Sequence, residues 1–466
     1  MKCAAMRGSI RSYWHVTFLS TLFILDAPCF AQSVLPRGIG IIRLGDRLLL
    51  NPENAFDKEG TKVSLSDKNT VSFRGKDLLL GSGGADLQKL VQELDRYDKN
   101  SGKEGSLVDR LNLGTLDTDV KAKVNVIVLG LAYGLSSSFT IYAGVPWIQS
   151  ETDAKLRFSD ENNALALKAE LGNLAFDELK AGLDQAAQVN AELVSQTLVA
   201  AGYQPLGPWK KSAFGDFRIG GVFDINKMFD KSSHQHNLSF DTFLSVPTGY
   251  IEHPDILSDA SQGRGYYSLS AVAHERLSPG NGMWIAGALG GAYNFPTKVT
   301  KRVPEGNSNI VPIDRTSEVN LTPGADLEGR LGFGMTTYYV EPRYHFIFEK
   351  HLGDRYKGEL PGNYSKLAEE SETQLLSHQI SIGLSTLNAF QRKQFPVPIL
   401  LDFSWKVPFM GKNRVSEDYL ELTLSAFFST PFAEEKKEIK ETKESKAGAK
   451  PKRKTQPRTR KTEGTQ

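Results

Sequence analysis

The stretch ILLDFSWKVPF, residues 399–409, decides how the chain is read: Ile399, Leu401, Phe403, Trp405, Val407 and Phe409 alternate with Asp402, Ser404 and Lys406. Successive side chains of a strand point to opposite faces, so a period of two gives one greasy face and one polar face. The run is as long as a tilted membrane-crossing strand, ~9–11 residues, and longer than the ~5–6 residues of an ordinary soluble strand. An Arg or Lys facing lipid at the bilayer midplane costs ~2–4 kcal/mol. The charged face of such a strand is therefore expected to point inward.

The same alternation recurs on both sides of this stretch. In YYVEPRYHFIFE (338–349), Tyr338, Val340, Tyr344, Phe346 and Phe348 oppose Glu341, Arg343, His345 and Glu349. YLELTLSAFF (419–428) sets Leu420, Leu422, Leu424, Ala426 and Phe428 against Glu421, Thr423 and Ser425. DLEGRLGFGM (326–335) sets Leu327, Leu331 and Phe333 against Asp326, Glu328 and Arg330. LSFDTFLSV (238–246), DFRIGGVFDI (216–225) and FTIYAGVPW (139–147) behave alike, with Asp241, Arg218 and Asp224 on the polar faces. In VKAKVNVIVLGLAYGL (120–135), Val120, Ala122, Val124, Val126 and Val128 share one face, and the face that starts with Lys121, Lys123 and Asn125 is expected to point inward. Strands near 265–277, 283–295 and 375–388 follow the pattern less cleanly, and RGIGIIRLGDRL (37–48) is read as the first strand.

Short connections, such as SSS after Leu135 and PGNG at 279–282, alternate with long ones near 51–117, 151–213, 250–263, 297–322, 351–371 and 411–417. That alternation suits an all-β, up-and-down antiparallel transmembrane barrel of about twelve strands, an even number, with long outer loops, short inner turns and both ends on the periplasmic side. A soluble β-sandwich would also show period two. Strand length and the asymmetry of the loops weigh against it. Low mean hydropathy fits a barrel, since no stretch of the mature region reaches the ~20 apolar residues of a membrane helix.

Two insertions break the strand pattern. Residues 160–205, between strands three and four, are rich in Ala, Leu and Glu with apolar residues at three- and four-residue spacing, which predicts helices that Gly172 and Gly182 interrupt. They read as a helical cap on the rim, or as a gate or plug. Within 51–117, a long loop or plug, ADLQKLVQELDRY predicts another helix.

The ends carry their own signals. Lys2, Arg7 and Arg11, an apolar run from Trp14 to Leu25 and small residues near Ala31 have the layout of a secretory signal, 1–31. Cys3 and Cys29, the two cysteines of the chain, fall inside it, so the mature 32–432 unit is expected to use no disulfide, thiolate metal site or cysteine nucleophile. Residues 433–466 have almost no apolar content and end strongly basic, which predicts a disordered tail. An anionic cell-wall partner for that tail is an open reading. Nucleic acid is not expected for an exported chain.

Three stretches resemble the meta-pathway phenol-degradation-like outer-membrane proteins, a group similar to fatty-acid-transporter-type porins: LGLAYGLSSSFTIYAGVPW (129–147), GDFRIGGVFDI (215–225), and LSVPTG (244–249) followed by GRGYYSLSAVAHERL (263–277). The resemblance covers roughly 118–432 and implies a Gram-negative outer-membrane barrel that passes small apolar or aromatic solutes. The helical insertion and the residues beyond the candidate terminal aromatics Phe428 and Phe432 depart from the group's pattern.

The chain has no GxSxG elbow, HExxH motif or phosphate-binding loop, so no catalytic residue, metal site or cofactor is expected and the protein is read as a non-enzyme. His234 and His236 read as a solvated turn, and His274 as a lumen hydrogen-bonding group. The candidate lumen-lining set is Arg218, Asp224, Asp241, Asp326, Glu328, Arg330, Glu341, Arg343, His345, Glu349, Asp402, Lys406 and Glu421. Charges of both signs on one inner surface can pair across it or set the selectivity of a pathway. The expected function is a porin-like channel or transporter for small solutes. The alternative is a structural or surface-interaction barrel with a cell-wall-binding tail. The expected partners are outer-membrane lipid and the solute.

Overall fold

The computed structural model describes residues 34–430, apart from 69, 76–84, 103–105, 160, 173–176, 230–235 and 307–309. The expected leader 1–31, His234, Phe432 and the tail 433–466 lie outside the described residues.

Twelve antiparallel strands form one closed wall. They are β1 (Ile39–Leu49), β2 (Asn112–Gly134), β3 (Phe139–Phe158), β4 (Phe217–Asp224), β5 (His236–Val246) and β6 (Ser268–Gly280), then β7 (Met283–Asn294), β8 (Asp326–Met335), β9 (Val340–His351), β10 (Thr373–Ser385), β11 (Ile399–Lys412) and β12 (Tyr419–Ser429). Each pairs with its sequence neighbour. The wall closes because β1 pairs on one side with β2, Gly40 opposite Tyr133, and on the other with β12, Ile39 opposite Ser429. Closure leaves no open edge of unpaired peptide groups, which is what a strand wall in lipid requires. Both described chain ends therefore lie at the end with the short turns.

The wall is uneven in height. β2 and β3 pair without interruption from Gly134 opposite Thr140 to Leu116 opposite Phe158, far beyond their neighbours. Past Gly144, β3 loses β4 as its partner and pairs instead with the strand Pro208–Phe214. This extension explains why the expected loops at 51–117 and 151–213 are partly strand.

The insertion folds as three helices, α2 (Ala164–Leu171), α3 (Asp177–Ala186) and α4 (Ala191–Ala200), beside α1 (Ala85–Asn100) from the first long loop. Leu90, Val91 and Leu94 of α1 bury against Leu167, Leu171, Leu179, Leu183, Val194 and Leu198, and the same cluster takes in Leu113 and Leu116 of β2. The insertion is thus a cap seated on the tall part of the wall. Gly172 ends α2 with a left-handed φ of 50°. Gly182 does not break a helix. It lies within α3, against Leu90 of α1, and the interruption falls at 187–190 instead.

A second expectation is reversed. On β2 the valine face points inward, with Val120, Val124 and Val126 buried against Leu49, Ala55, Leu65, Ile148, Ala260 and Tyr419, while Lys121 and Lys123 are exposed on the outer surface. The rule that charges turn away from lipid does not apply there, because this part of β2 rises past the top of the neighbouring strands. Only below it do Leu129 and Leu131 form the outer face.

Candidate functional site: the lumen and its two mouths

The inner surface of the barrel is divided. β2 contributes Val124, Val126, Val128, Gly130 and Ala132, and β3 adds Tyr142, Gly144 and Ile148, so one wall is almost wholly apolar. Across from it, β6 to β12 present acids, bases, serines and histidines. Period-two alternation forces this on each strand: where Leu327, Leu331 and Phe333 are exposed outside, Asp326, Glu328 and Arg330 turn inward.

The thirteen candidate residues separate into two groups. Most are buried in contacts that fill the wall. Arg343 and Asp402 form an ion pair across β9 to β11. Glu349 meets Lys406 at 3.1 Å and Arg414 at 3.3 Å, and Lys406 also reaches Glu417 at 3.4 Å. Glu421 pairs with Arg47 at 2.8 Å, and the Arg47 guanidinium lies 4.2 Å from the centre of the Tyr419 ring. Asp326 sits 2.8 Å from Arg264 and 2.7 Å from His351. Asp241 accepts the Tyr142 hydroxyl at 2.7 Å. Asp224 caps the short helix Ile225–Met228, accepting from the Lys227 N–H at 2.9 Å. His345 is buried beside Trp284, ring centres 6.1 Å apart. Uncompensated buried charge is costly, so pairing and hydrogen bonding are what allow these groups inside.

The second group is half-buried: Arg218, Glu328, Arg330 and Glu341. With His274 and Arg276 they face accessible space beside the small residues Ala286, Ala288, Gly290, Gly144 and Gly220. Glu341 lies 3.8 Å from Arg276 and accepts from the Trp284 indole N–H at 3.1 Å, and Arg276 rests 4.5 Å over that indole.

Several lumen groups were not singled out from sequence. Arg43 and Arg47 alternate with Ile42, Leu44 and Leu48, so the signal for them was present in the first strand. Arg264 and Glu417 come from loops and Arg414 from the two-residue strand Arg414–Val415, where no periodicity announces an inward side chain.

Both mouths are narrowed by chain. At the long-loop end, residues 247–267 cross the opening. Gln262 donates to Ser150 Oγ at 3.0 Å and to the Lys211 carbonyl at 3.2 Å on one wall, while Arg264 reaches Asp326 on the other. Asp216 holds both feet of this loop, accepting from the Gly249 N–H at 3.0 Å and the Arg264 N–H at 2.8 Å. Inside the loop the Tyr250 hydroxyl donates to Asp259. Burial, then Asp259 itself, pushes that hydroxyl above its ordinary pKa, so it stays protonated and remains a donor. At the short-turn end, Val34 is 6 % exposed and packs with Ile41, Ala132, Tyr142, Val222 and Phe243. The Leu35 N–H donates to Thr140 Oγ1 at 2.8 Å. Residues 34–38 therefore tuck into that mouth.

The outer surface is the inverse of the inner one. Ile42, Leu44, Leu131, Ile141, Ile219, Leu269, Ile285, Leu289, Leu331, Ile380, Phe403 and Leu422 all stand exposed around the circumference. Aromatic residues border this belt. Trp147 and Phe214 form an edge-to-face pair 4.8 Å apart, and Tyr293 and Phe295 another at 5.1 Å, toward the long loops. Phe139 and Phe223 stack at 4.4 Å, and Tyr338 meets Tyr339 at 4.4 Å, toward the short turns. Apolar patches of this extent do not face water, and a closed even-stranded barrel with an apolar band between aromatic girdles has one solvent that fits. This is an outer-membrane β-barrel.

No known family model matches the chain, and no curated protein does. Similar solved structures include an outer-membrane channel from Pseudomonas putida F1, 11 % identical with a TM-score of 0.45, covering 87 % of this chain and 100 % of that one. A FadL homologue from Pseudomonas aeruginosa is 8 % identical with a TM-score of 0.30, covering 91 % and 100 %. A toluene transporter from Ralstonia pickettii is 6 % identical with a TM-score of 0.30, covering 85 % and 90 %. At these identities and TM-scores the likenesses carry no argument, and the barrel stands on its own closed wall and apolar belt.

Proposed function

We propose that the barrel is a channel for small solutes with an apolar or aromatic body, passed along a lumen that is greasy on one side and charged on the other. The observation that carries this reading is the division of the inner surface. A solute with an apolar body can lie against Val128, Gly144, Gly220, Ala286, Ala288 and Gly290, the small and apolar inner residues left half-open, while water or a polar substituent faces Arg218, Glu328, Arg330 and Glu341. A barrel built only for rigidity has no need of such a strip of half-buried charge beside small residues. The sequence resemblance in LGLAYGLSSSFTIYAGVPW points the same way.

In this reading the loop 247–267 is the constriction, and Arg264 is the strut that holds it across the mouth. Removing one partner of a buried ion pair costs about 3–5 kcal/mol, enough to release a loop held at few points. Single-channel recording in planar bilayers tests both ideas. Wild-type protein is expected to conduct in small steps, to show current block on adding an aromatic probe such as benzyl alcohol, and to conduct several-fold more as Arg264→Ala. A wild type and variant that both fail to conduct would remove the channel reading. Conduction without block would remove the solute class.

A further inference from the structure

The tall extension of the wall carries a feature that passage of solute does not use. Outside the barrel, the face of β2, β3 and Pro208–Phe214 changes character level by level. At the level of Ile127, Trp147 and Phe214 it is apolar and aromatic. One level up it is Asn125, Gln149 and Ser212. Above that come Lys123, Glu151 and Lys210 side by side, and then Lys121 opposite Asp153. Each level spans two residues, ~6–7 Å along a strand and less along the barrel axis once tilted. Lys123 therefore stands ~10 Å and Lys121 ~15 Å above the aromatic border along the barrel axis, where headgroups add ~5–8 Å to each side of the hydrocarbon core. A lysine stem of ~6 Å brings the Lys123 ammonium into that layer and the Lys121 ammonium to its outer edge.

The carboxylates on this ridge are turned toward other cations. Glu151 pairs with Lys210 at 2.9 Å, Asp153 with Lys155 at 2.9 Å, and Asp119 with Arg157 at 2.6 Å. Asp117 accepts from the Thr70 hydroxyl at 2.8 Å. Asp46 lies two levels below Lys123, on β1 opposite Ile127. Lys121 and Lys123 are exposed, and neither has an ion-pair partner among the described residues although each stands across from an acid. The inner side of the same strands is sealed by the cap and by the valine cluster, so this ridge is an outer surface only.

We propose that Lys121 and Lys123, flanked by Lys210, form a docking ridge for the phosphates of the outer-leaflet glycolipid. The charge is complementary, the lysine stems reach down to the headgroup layer, and the Trp147–Phe214 pair two levels below Lys123 offers the acyl chains and sugar rings a flat apolar contact. The contact would pin the lipid against the tall part of the wall that supports the helical cap.

Native mass spectrometry of purified barrel tests this, with bis-phosphorylated lipid A added to detergent and the same lipid A stripped of its phosphates as control. The wild type is expected to retain the phosphorylated form at least fivefold better than the stripped one, and K121Q/K123Q is expected to lose that preference. K155Q/R157Q, changed higher on the same ridge, should keep it. Heat-modifiable gel mobility verifies that each variant is folded. Equal retention of both lipid forms by the wild type, or undiminished preference in K121Q/K123Q, would overturn the proposal. Loss in K155Q/R157Q equal to that in K121Q/K123Q would also overturn it, because it would mean diffuse charge and not this ridge. The proposal does not depend on conduction: a barrel that fails to conduct can still hold the lipid.

Discussion

At the scale of single residues, the inner face of every strand but β2 was legible and the partners were not. Alternation places Arg343 and Asp402 inside, but their union depends on three strands lying side by side in one register. Gly134 shows how one small residue shapes a mouth. A β-carbon there would stand 2.2 Å from the Pro36 carbonyl oxygen and 2.7 Å from that of Leu35, both backbone atoms with no room to swing aside. Its own carbonyl accepts from the Gly38 N–H at 2.9 Å. Gly134→Ala is therefore expected to expel residues 34–38 from the short-turn mouth while leaving the barrel folded. Arg37 is exposed but its neighbours are tied by backbone hydrogen bonds, so protease cleavage there is expected to be slow in the wild type and to quicken in the variant, and channel current should rise. An unchanged cleavage rate at Arg37 would mean that the segment accommodates the methyl group and is not held as described.

At the scale of elements, the twelve strands and the helical insertion follow from periodicity, since a period of two or of 3.6 is a local property of the chain. The face of β2 does not. Its charged face is expected inward wherever the outside is hydrocarbon, yet the upper half of β2 rises above the hydrocarbon layer. Its valines are instead buried by Ala55, Leu65 and Ala260, which arrive from distant loops. The cap illustrates the same dependence. Arg110 pairs with Glu170, and α1 buries Leu90 and Leu94 against α2 and α3. Replacing 164–200 by a flexible polar linker is expected to leave a heat-modifiable barrel, because closure of the wall involves none of those residues. Trypsin should then cleave α1 at Lys89 or Arg96, which have lost the support of a packed helix. Retained protection of α1 would show that the cap is not one cooperative unit, and loss of the barrel would show that the insertion is needed to build the wall.

At the scale of the whole molecule, the decisive property is closure. A wall in which every strand has two partners resists unfolding in detergent, because no edge offers a place to start. The protein from an outer-membrane fraction is expected to run faster on a gel before boiling than after, and its absence from that fraction would contradict the assignment. The tie between β1 and β12 joins residues almost four hundred positions apart, Ile39 to Ser429, and the loop 247–267 is held by Ser150 and Asp326 from two separate strands and by Asp216 just before β4. The sequence by itself determined the strands, their alternation of greasy and polar residues, the asymmetry of the loops and the helical insertion, because each is written in residues that are neighbours along the chain. Only the tertiary structure decided which inward charges are spent on one another, which stay half-open to the lumen, where two mouths are narrowed, and where the wall outgrows the membrane. Those depend on contacts between segments far apart in sequence, and no local pattern encodes which of them will meet.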